Sequence, residues 1–342
     1  MRLKLIKHHG IVLDSGAAGT FDGGGASFGC ALMHKRGETY LFYSAAKDVG
    51  FQKATISLAI SKDGIQFEKI GNVLENRHGT FCADSAVTPA IFQINGQYYM
   101  IMAGNSTSEP TRRIGVANAE ELSGPWKIQK NVLSPKEVWE GYDIDCGTGI
   151  CKSELLVYYS NVWERRILPK RGGLITIDRI LKKISRKIKK NRYNITRSLS
   201  IAKLRIDDDG LVSFHKHEGN PLSHLNGRKG QWNESLFCPS YLELMGRHYL
   251  FTAASTYSIG PPFRQYIGLV AGHSPYFEKG STIEKLIDGP KEKKLIIPSI
   301  RSEIALDTPS SIIRGKELWL YYAAMDRSDD IWKTALSVYS IA

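Results

Sequence analysis

Apolar residues in this chain fall into short runs, and the runs come in pairs joined by a polar turn. The pair recurs at Cys30–Ala45, Pro89–Gly104, Gly149–Asn161, Pro239–Ser255 and Pro309–Ala324. Each copy turns at Gly or Lys/Asn among charged neighbours and returns in an aromatic-rich run, as a β-hairpin does. Runs that are apolar almost throughout suit strands buried on both faces. A second hairpin follows most copies, at Ala54–Gly71, Arg112–Gln129, Ser198–Lys216 and Gln265–Gly280, with Phe67, Trp126, Phe214 and Phe277 at matching places. Two hairpins make a four-stranded sheet, and five such sheets set radially make a propeller. The pattern therefore predicts an all-β fold, a single five-bladed β-propeller domain over residues 1–342. Only one run, Thr334–Ala342, follows the last copy. The missing outer strand is expected from the N-terminal run Arg2–His8, which would close the ring.

The repeat is interrupted once, in the third unit, by residues 164–197. Ile177, Ile180, Leu181, Ile184 and Ile188 recur there at helical intervals among many Lys and Arg. This reads as one inserted basic amphipathic helix. The chain's net charge is +12, yet thirteen basic residues and one acid between Arg165 and Arg197 account for it. The rest is close to neutral, which argues against a nucleic-acid-binding domain. Residues 174–192 could instead lie on an anionic membrane surface, contact a second subunit, steer an acidic polysaccharide, or simply dock on the propeller.

The five cysteines are scattered and odd in number, without zinc-ligand spacing. Buried, reduced thiols are the expectation, and no metal site is assigned. The N-terminus lacks the apolar core of a signal peptide. A cytoplasmic location follows as an expectation, with the inner membrane face open through the insertion.

Acids stand just ahead of each repeat copy: Asp22, Asp84, Asp143 with Asp145, Glu234, and Glu303 with Asp307. One acid before a strand caps a turn. Five groups converging on one channel mouth are costly unless they do chemistry. Glycosidic cleavage needs such equipment: one carboxylic acid protonates the leaving oxygen, and a second carboxylate activates water or attacks the anomeric carbon.

This arrangement of units and acids resembles the five-bladed propeller glycoside hydrolases, family 43 and its relatives in families 32, 68, 117 and 130. The resemblance implies a carbohydrate substrate and three catalytic acids at the entrances of blades one, three and four. Carried over, these fall on Asp22, Asp145 and Glu234. The chain departs from the family pattern around each. Asp22 lies eight residues before Cys30 rather than directly before Pro, Cys146 follows Asp145 where Pro is usual, and Glu234 lies five residues before Pro239. Asp84, Asp143, Trp232, Trp163, Arg264, Arg301 and Asp307 are candidate substrate contacts, since a sugar face stacks on aromatic rings and Arg binds carboxylates. The resemblance also allows a channel calcium ion, which no residue here identifies, and no other cofactor is implied. Two alternatives stay open: a glycan-binding propeller without catalysis, and a phosphorylase using Arg264, Arg301 and Arg112 to hold phosphate.

Overall fold

The computed structural model describes residues 1–34, 36–49, 51, 53–74, 78–141, 143–162, 197–256, 265–288, 303–326, 329 and 331–342. The inserted helix expected over 164–197 lies outside the described residues, apart from Arg197, as do residues 174–192.

The described chain is all β. It begins with β1 (Leu3–Leu13) and continues through four sequential antiparallel units. The first holds β2 (Gly25–Met33), β3 (Thr39–Ala46), β4 (Ala54–Ser61) and β5 (Glu68–Leu74). The second holds β6 (Ser85–Ile94), β7 (Gln97–Asn105), β8 (Arg113–Ala119) and β9 (Lys127–Leu133). The third holds β10 (Asp143–Cys151), β11 (Leu156–Val162), β12 (Leu199–Ile206) and β13 (Val212–Lys216). The fourth holds β14 (Ser235–Leu244), β15 (Arg247–Ser255), β16 (Gln265–Gly272) and β17 (Thr282–Asp288). Last come β18 (Glu303–Arg314), β19 (Glu317–Asp326) and β20 (Trp332–Ile341). These lack a fourth strand, and β1 supplies it, pairing antiparallel with β20 from Leu3↔Ile341 to Leu13↔Thr334. Arg2 and Ala342 exchange two backbone hydrogen bonds, so the two ends of the chain meet as the sequence predicts. A single parallel pair, Gly25↔Trp332, links this unit to the first.

The leading strands β2, β6, β10, β14 and β18 contact one another in that order, and β18 returns to β2. The hydrophobic core fills the seams between successive units. Phe42, Ile56 and Leu58 meet Met100, Met102 and Trp126 across the first seam. Tyr159 packs towards the second unit and its neighbour Tyr158 towards the fourth. Tyr322 and Tyr321 likewise serve opposite seams. Successive side chains on a strand point to opposite faces, so a strand covered on both sides needs apolar residues at every position.

The aromatics of the second hairpins close these seams. Phe67 packs edge-on against Tyr321 at 6.0 Å, Trp126 against Phe42 at 6.0 Å and Phe277 against Tyr158 at 5.8 Å. Phe277 is fully buried. Truncation to Ala leaves a cavity in a seam with little room to collapse, so Phe277→Ala should cost about 3–5 kcal/mol in denaturant unfolding. A loss under about 1 kcal/mol would show that the seam repacks.

The closing strand carries a pH-dependent contact. Nδ1 of His8 lies 3.0 Å from the Ser337 hydroxyl and 3.3 Å from that of Tyr322. Burial, with His9 adding like charge, lowers the His8 pKa from 6.5 to about 4. The unfolded chain therefore takes up a proton near pH 6.5 that the folded chain refuses until about pH 4. Stability should fall as pH drops through that window, and His8→Gln should flatten the slope of Tm against pH. Identical slopes in the two proteins would remove His8 from the effect.

Candidate active site

All five leading strands carry a β-bulge at the same place, between Ser27 and Cys30, Val87 and Ala90, Cys146 and Ile150, Phe237 and Ser240, and Asp307 and Ser310. A bulge bends a strand and re-aims the side chain within it. In four of the five the re-aimed residue is a non-glycine with positive φ: Phe28 at 52°, Thr88 at 52°, Cys238 at 46° and Thr308 at 36°. Such backbone costs of order 1–3 kcal/mol and concentrates at working sites. Other units hold it in place. Thr88 N donates to Ser44 Oγ (3.0 Å), Cys238 N to Ser160 Oγ (3.3 Å) and Thr148 Oγ1 to Pro309 O (2.5 Å). The third bulge uses Gly147, where an added Cβ would strike the carbonyl of Pro239.

These four residues line one cavity of about 210 Å³. Its remaining walls are Phe51, Val87, Arg112, Asp145, Arg197, Asp307 and Trp332, so every unit contributes. Phe28 sits edge-on to Phe51 at 4.9 Å and 5.0 Å from Trp332, which makes one wall aromatic. The opposite ends of the same strands frame a larger cavity of about 450 Å³ containing Lys152. No carboxylate lines it among the described residues, so chemistry that needs two acids belongs to the smaller cavity.

The charges in the smaller cavity are arranged in pairs. Arg112 Nη1 meets Asp145 Oδ1 at 2.6 Å, and Asp145 is buried. Asp143 stands behind them, accepting the backbone N–H of Arg112 at 2.7 Å. The Asp145 charge is the main reason that the Arg112 pKa rises above its ordinary value. Asp307 Oδ1 accepts the N–H (2.6 Å) and hydroxyl (3.0 Å) of Thr308. Burial raises the Asp307 pKa, against the opposing pull of Arg197. Between the two acids lies Cys238, its thiol pushed well above its ordinary value by burial first, then by Asp307 and Asp145.

Of the acids picked out from sequence, Asp145 and Asp307 line this cavity, and Asp22 and Glu234 do not. Asp22 is buried with Oδ2 2.6 Å from Lys69 on β5, the strand of its unit furthest from β2. Tyr43 points its hydroxyl at the same oxygen (3.4 Å), and an added Cβ at Gly16 would collide with Oδ1. The residues Gly16–Gly25 form a tight loop, with Asp22 O accepting from Gly16 N and Gly25 N, while its side chain is taken up by Lys69. Glu234 Oε2 accepts Gly230 N at 2.7 Å within its own loop. Asp84 accepts the Thr107 hydroxyl at 2.7 Å. Trp232 packs edge-on to Tyr266 at 6.2 Å, against Gly268 of β16. Trp163, Arg264 and Arg301 lie outside the described residues. Sequence reasoning missed Phe28, Thr88, Cys238 and Thr308. The signal was a small residue directly before Pro in three leading strands, at Thr88-Pro89, Cys238-Pro239 and Thr308-Pro309. Trp332 is a further cavity wall.

Comparison with known proteins agrees with this fold. The model of the glycosyl hydrolases family 43 matches residues 30–199. A solved structure described as a glycoside hydrolase superposes with a TM-score of 0.69 at 11% identity, covering 98% of this chain and 92% of that one. The GH43_1 enzyme from Xanthomonas citri complexed with xylotriose gives 0.59 at 15% identity, over 99% and 90%. The Cellvibrio cellulosa alpha-L-arabinanase complexed with arabinohexaose gives 0.57 at 14%, over 91% of each chain. No curated protein matches the chain. The family signature spans residues 30–199, just under half of the chain, and the neighbours share its fold over nearly all of its length, so this chain is similar to the glycoside hydrolases of family 43.

Proposed function

We propose that the chain is a five-bladed propeller hydrolase that cleaves the terminal sugar of a glycan in the cavity formed by its five leading strands. Asp307 serves as the acid that protonates the leaving oxygen. Asp145, ion-paired with Arg112, serves as the carboxylate that activates water or attacks the anomeric carbon. One observation carries the assignment: these two acids face the same small cavity in opposite electrostatic settings. A buried carboxyl with a raised pKa facing an ion-paired carboxylate is the equipment that acid–base cleavage requires. The size of the cavity supports action at a chain end, since about 210 Å³ falls below the range for drug-sized ligands and suits a single sugar ring. Phe28, Phe51 and Trp332 offer the apolar face on which a ring stacks.

Asp22 and Glu234 take supporting roles in this reading, bracing the loops ahead of β2 and β14. The test is release of a single sugar from aryl glycosides and short oligosaccharides. Wild type should liberate monosaccharide and Asp145→Asn should not. Equal turnover in both would overturn the assignment, and internal cleavage to longer fragments would overturn the chain-end part.

A further inference from the structure

The larger cavity, of about 450 Å³, has no part in the proposed reaction, yet its volume lies in the range of small-molecule sites. The shared bulge sets the five leading strands in one register. Two residues past each bulge stand Leu32, Phe92, Lys152, Leu242 and Ile312, and all five line this cavity. Four units place an apolar side chain there, and the third places a cation. Burial raises the pKa of the Cys30 thiol, beside the first bulge, to about 11, and the Lys152 charge opposes that rise. The ammonium is therefore felt deep in the cavity.

Among the described residues no carboxylate pairs with Lys152. The acids of the nearby turns have other partners. Glu38 lies 3.8 Å from His34, Glu154 accepts the Tyr276 hydroxyl (2.5 Å) and Glu243 faces that of Tyr241 (3.4 Å). Ser311, also in the wall, has a buried hydroxyl with no hydrogen-bond partner among the described residues. The walls suit an alkyl chain better than a sugar ring, which favours an open aromatic face. Phe92 already stacks on Tyr99 at 5.3 Å, Tyr241 on Tyr158 at 5.1 Å, and His34 packs on Tyr40 at 4.8 Å. Leu32, Ile91, Leu242 and Ile313, one from each of the other four units, are only half-buried and keep apolar surface available. One ammonium matches one negative charge, whereas a phosphate monoester brings nearly two.

We propose that this second cavity binds a free aliphatic monocarboxylate, its chain between Leu32, Ile91, Leu242 and Ile313 and its carboxylate on Lys152. The site stands apart from the hydrolase reading, because none of its residues lines the smaller cavity. The probes are butanoate, octanoate, octanol and octylammonium, titrated calorimetrically into the full chain below their micellar concentrations. Wild type should bind a single octanoate, and affinity should rise about 4-fold for each CH₂ added to butanoate until the cavity is full. Lys152→Gln should weaken octanoate about 5-fold to 10-fold and leave octanol unchanged, a modest factor because Lys152 is exposed to water. Lys152→Glu should reverse the preference, so that octylammonium binds more tightly than octanoate. No octanoate binding by wild type overturns the proposal, as does affinity that ignores chain length or more than one octanoate per chain. So does octanoate binding that Lys152→Gln leaves intact, or displacement of octanoate by inorganic phosphate at lower concentration. Flotation with phosphatidylglycerol vesicles that Lys152→Gln abolishes would overturn it too, by giving the cavity to a membrane lipid.

Discussion

Asp307→Asn is expected to lower kcat/KM by about 100-fold to 10,000-fold, the range that positioned proton transfer contributes, and Asp145→Asn by a comparable factor. The two losses should differ in how they answer to conditions. Asp307 must hold its proton to act, and burial raises its pKa while Arg197 works against that rise. The alkaline limb of the kcat/KM profile should therefore follow Asp307. Arg197→Gln removes the opposing charge and should move that limb to higher pH. A limb that stays in place or shifts the other way would take Asp307 out of the acid role. Substrates with activated aryl leaving groups need little protonation, so they should rescue Asp307→Asn and leave Asp145→Asn inactive. The stability effect has the opposite sign. A buried carboxyl with a raised pKa loses stability to ionisation as pH climbs through that pKa. Asp307→Asn should thus have a higher Tm than wild type in alkaline buffer, the usual outcome when a residue is kept for chemistry.

The fold was legible in the sequence because a hairpin writes its period and its turn within about sixteen residues. The closing strand was legible because the last copy lacked a partner for Thr334–Ala342, and the apolar run Arg2–His8 had no other use. Residue spacing gives a strand's position but not the direction of the side chains that precede it. Asp145 and Asp22 both stand ahead of a hairpin, yet Asp145 lies within β10 and is aimed by its pleat, whereas Asp22 lies in a loop and is drawn to Lys69. Asp307 was read as a substrate contact, and its burial against Cys238 and Thr308, a property of two strands together, lies beyond what residue spacing conveys. Arg112 and Arg197 occupy the same place in their units, just ahead of β8 and β12. That equivalence was masked in the sequence, where Arg197 reads as the tail of the basic insertion.

The largest stability effect outside the seams is expected at Glu140, a residue the sequence does not single out. Its carboxylate is fully buried in the connection from β9 to β10. Oε2 accepts the N–H groups of Lys136 (2.7 Å) and Glu137 (2.9 Å) and pairs with Lys216 Nζ at 2.5 Å, while Oε1 accepts the Tyr159 hydroxyl at 3.1 Å. Lys216 also donates to Ser134 O at 3.1 Å, so one carboxylate ties this connection to both β11 and β13. A buried charge with this many donors is stable only as a complete set, and removing the acid strands the rest. Glu140→Ala should cost about 3 kcal/mol in denaturant unfolding, the low end of the range for breaking a buried pair, because Lys216 is 20% exposed and can reach water. Adding Lys216→Met should recover part of the loss by removing the unpaired cation, whereas two independent sites would simply add. The same connection leads directly into Asp143 and Asp145, so the single variant should also lower kcat while leaving KM nearly unchanged. An exposed ion pair would be worth under about 1 kcal/mol, and a cost that small, with full additivity in the double variant, would mean that Glu140 is not the brace for β10.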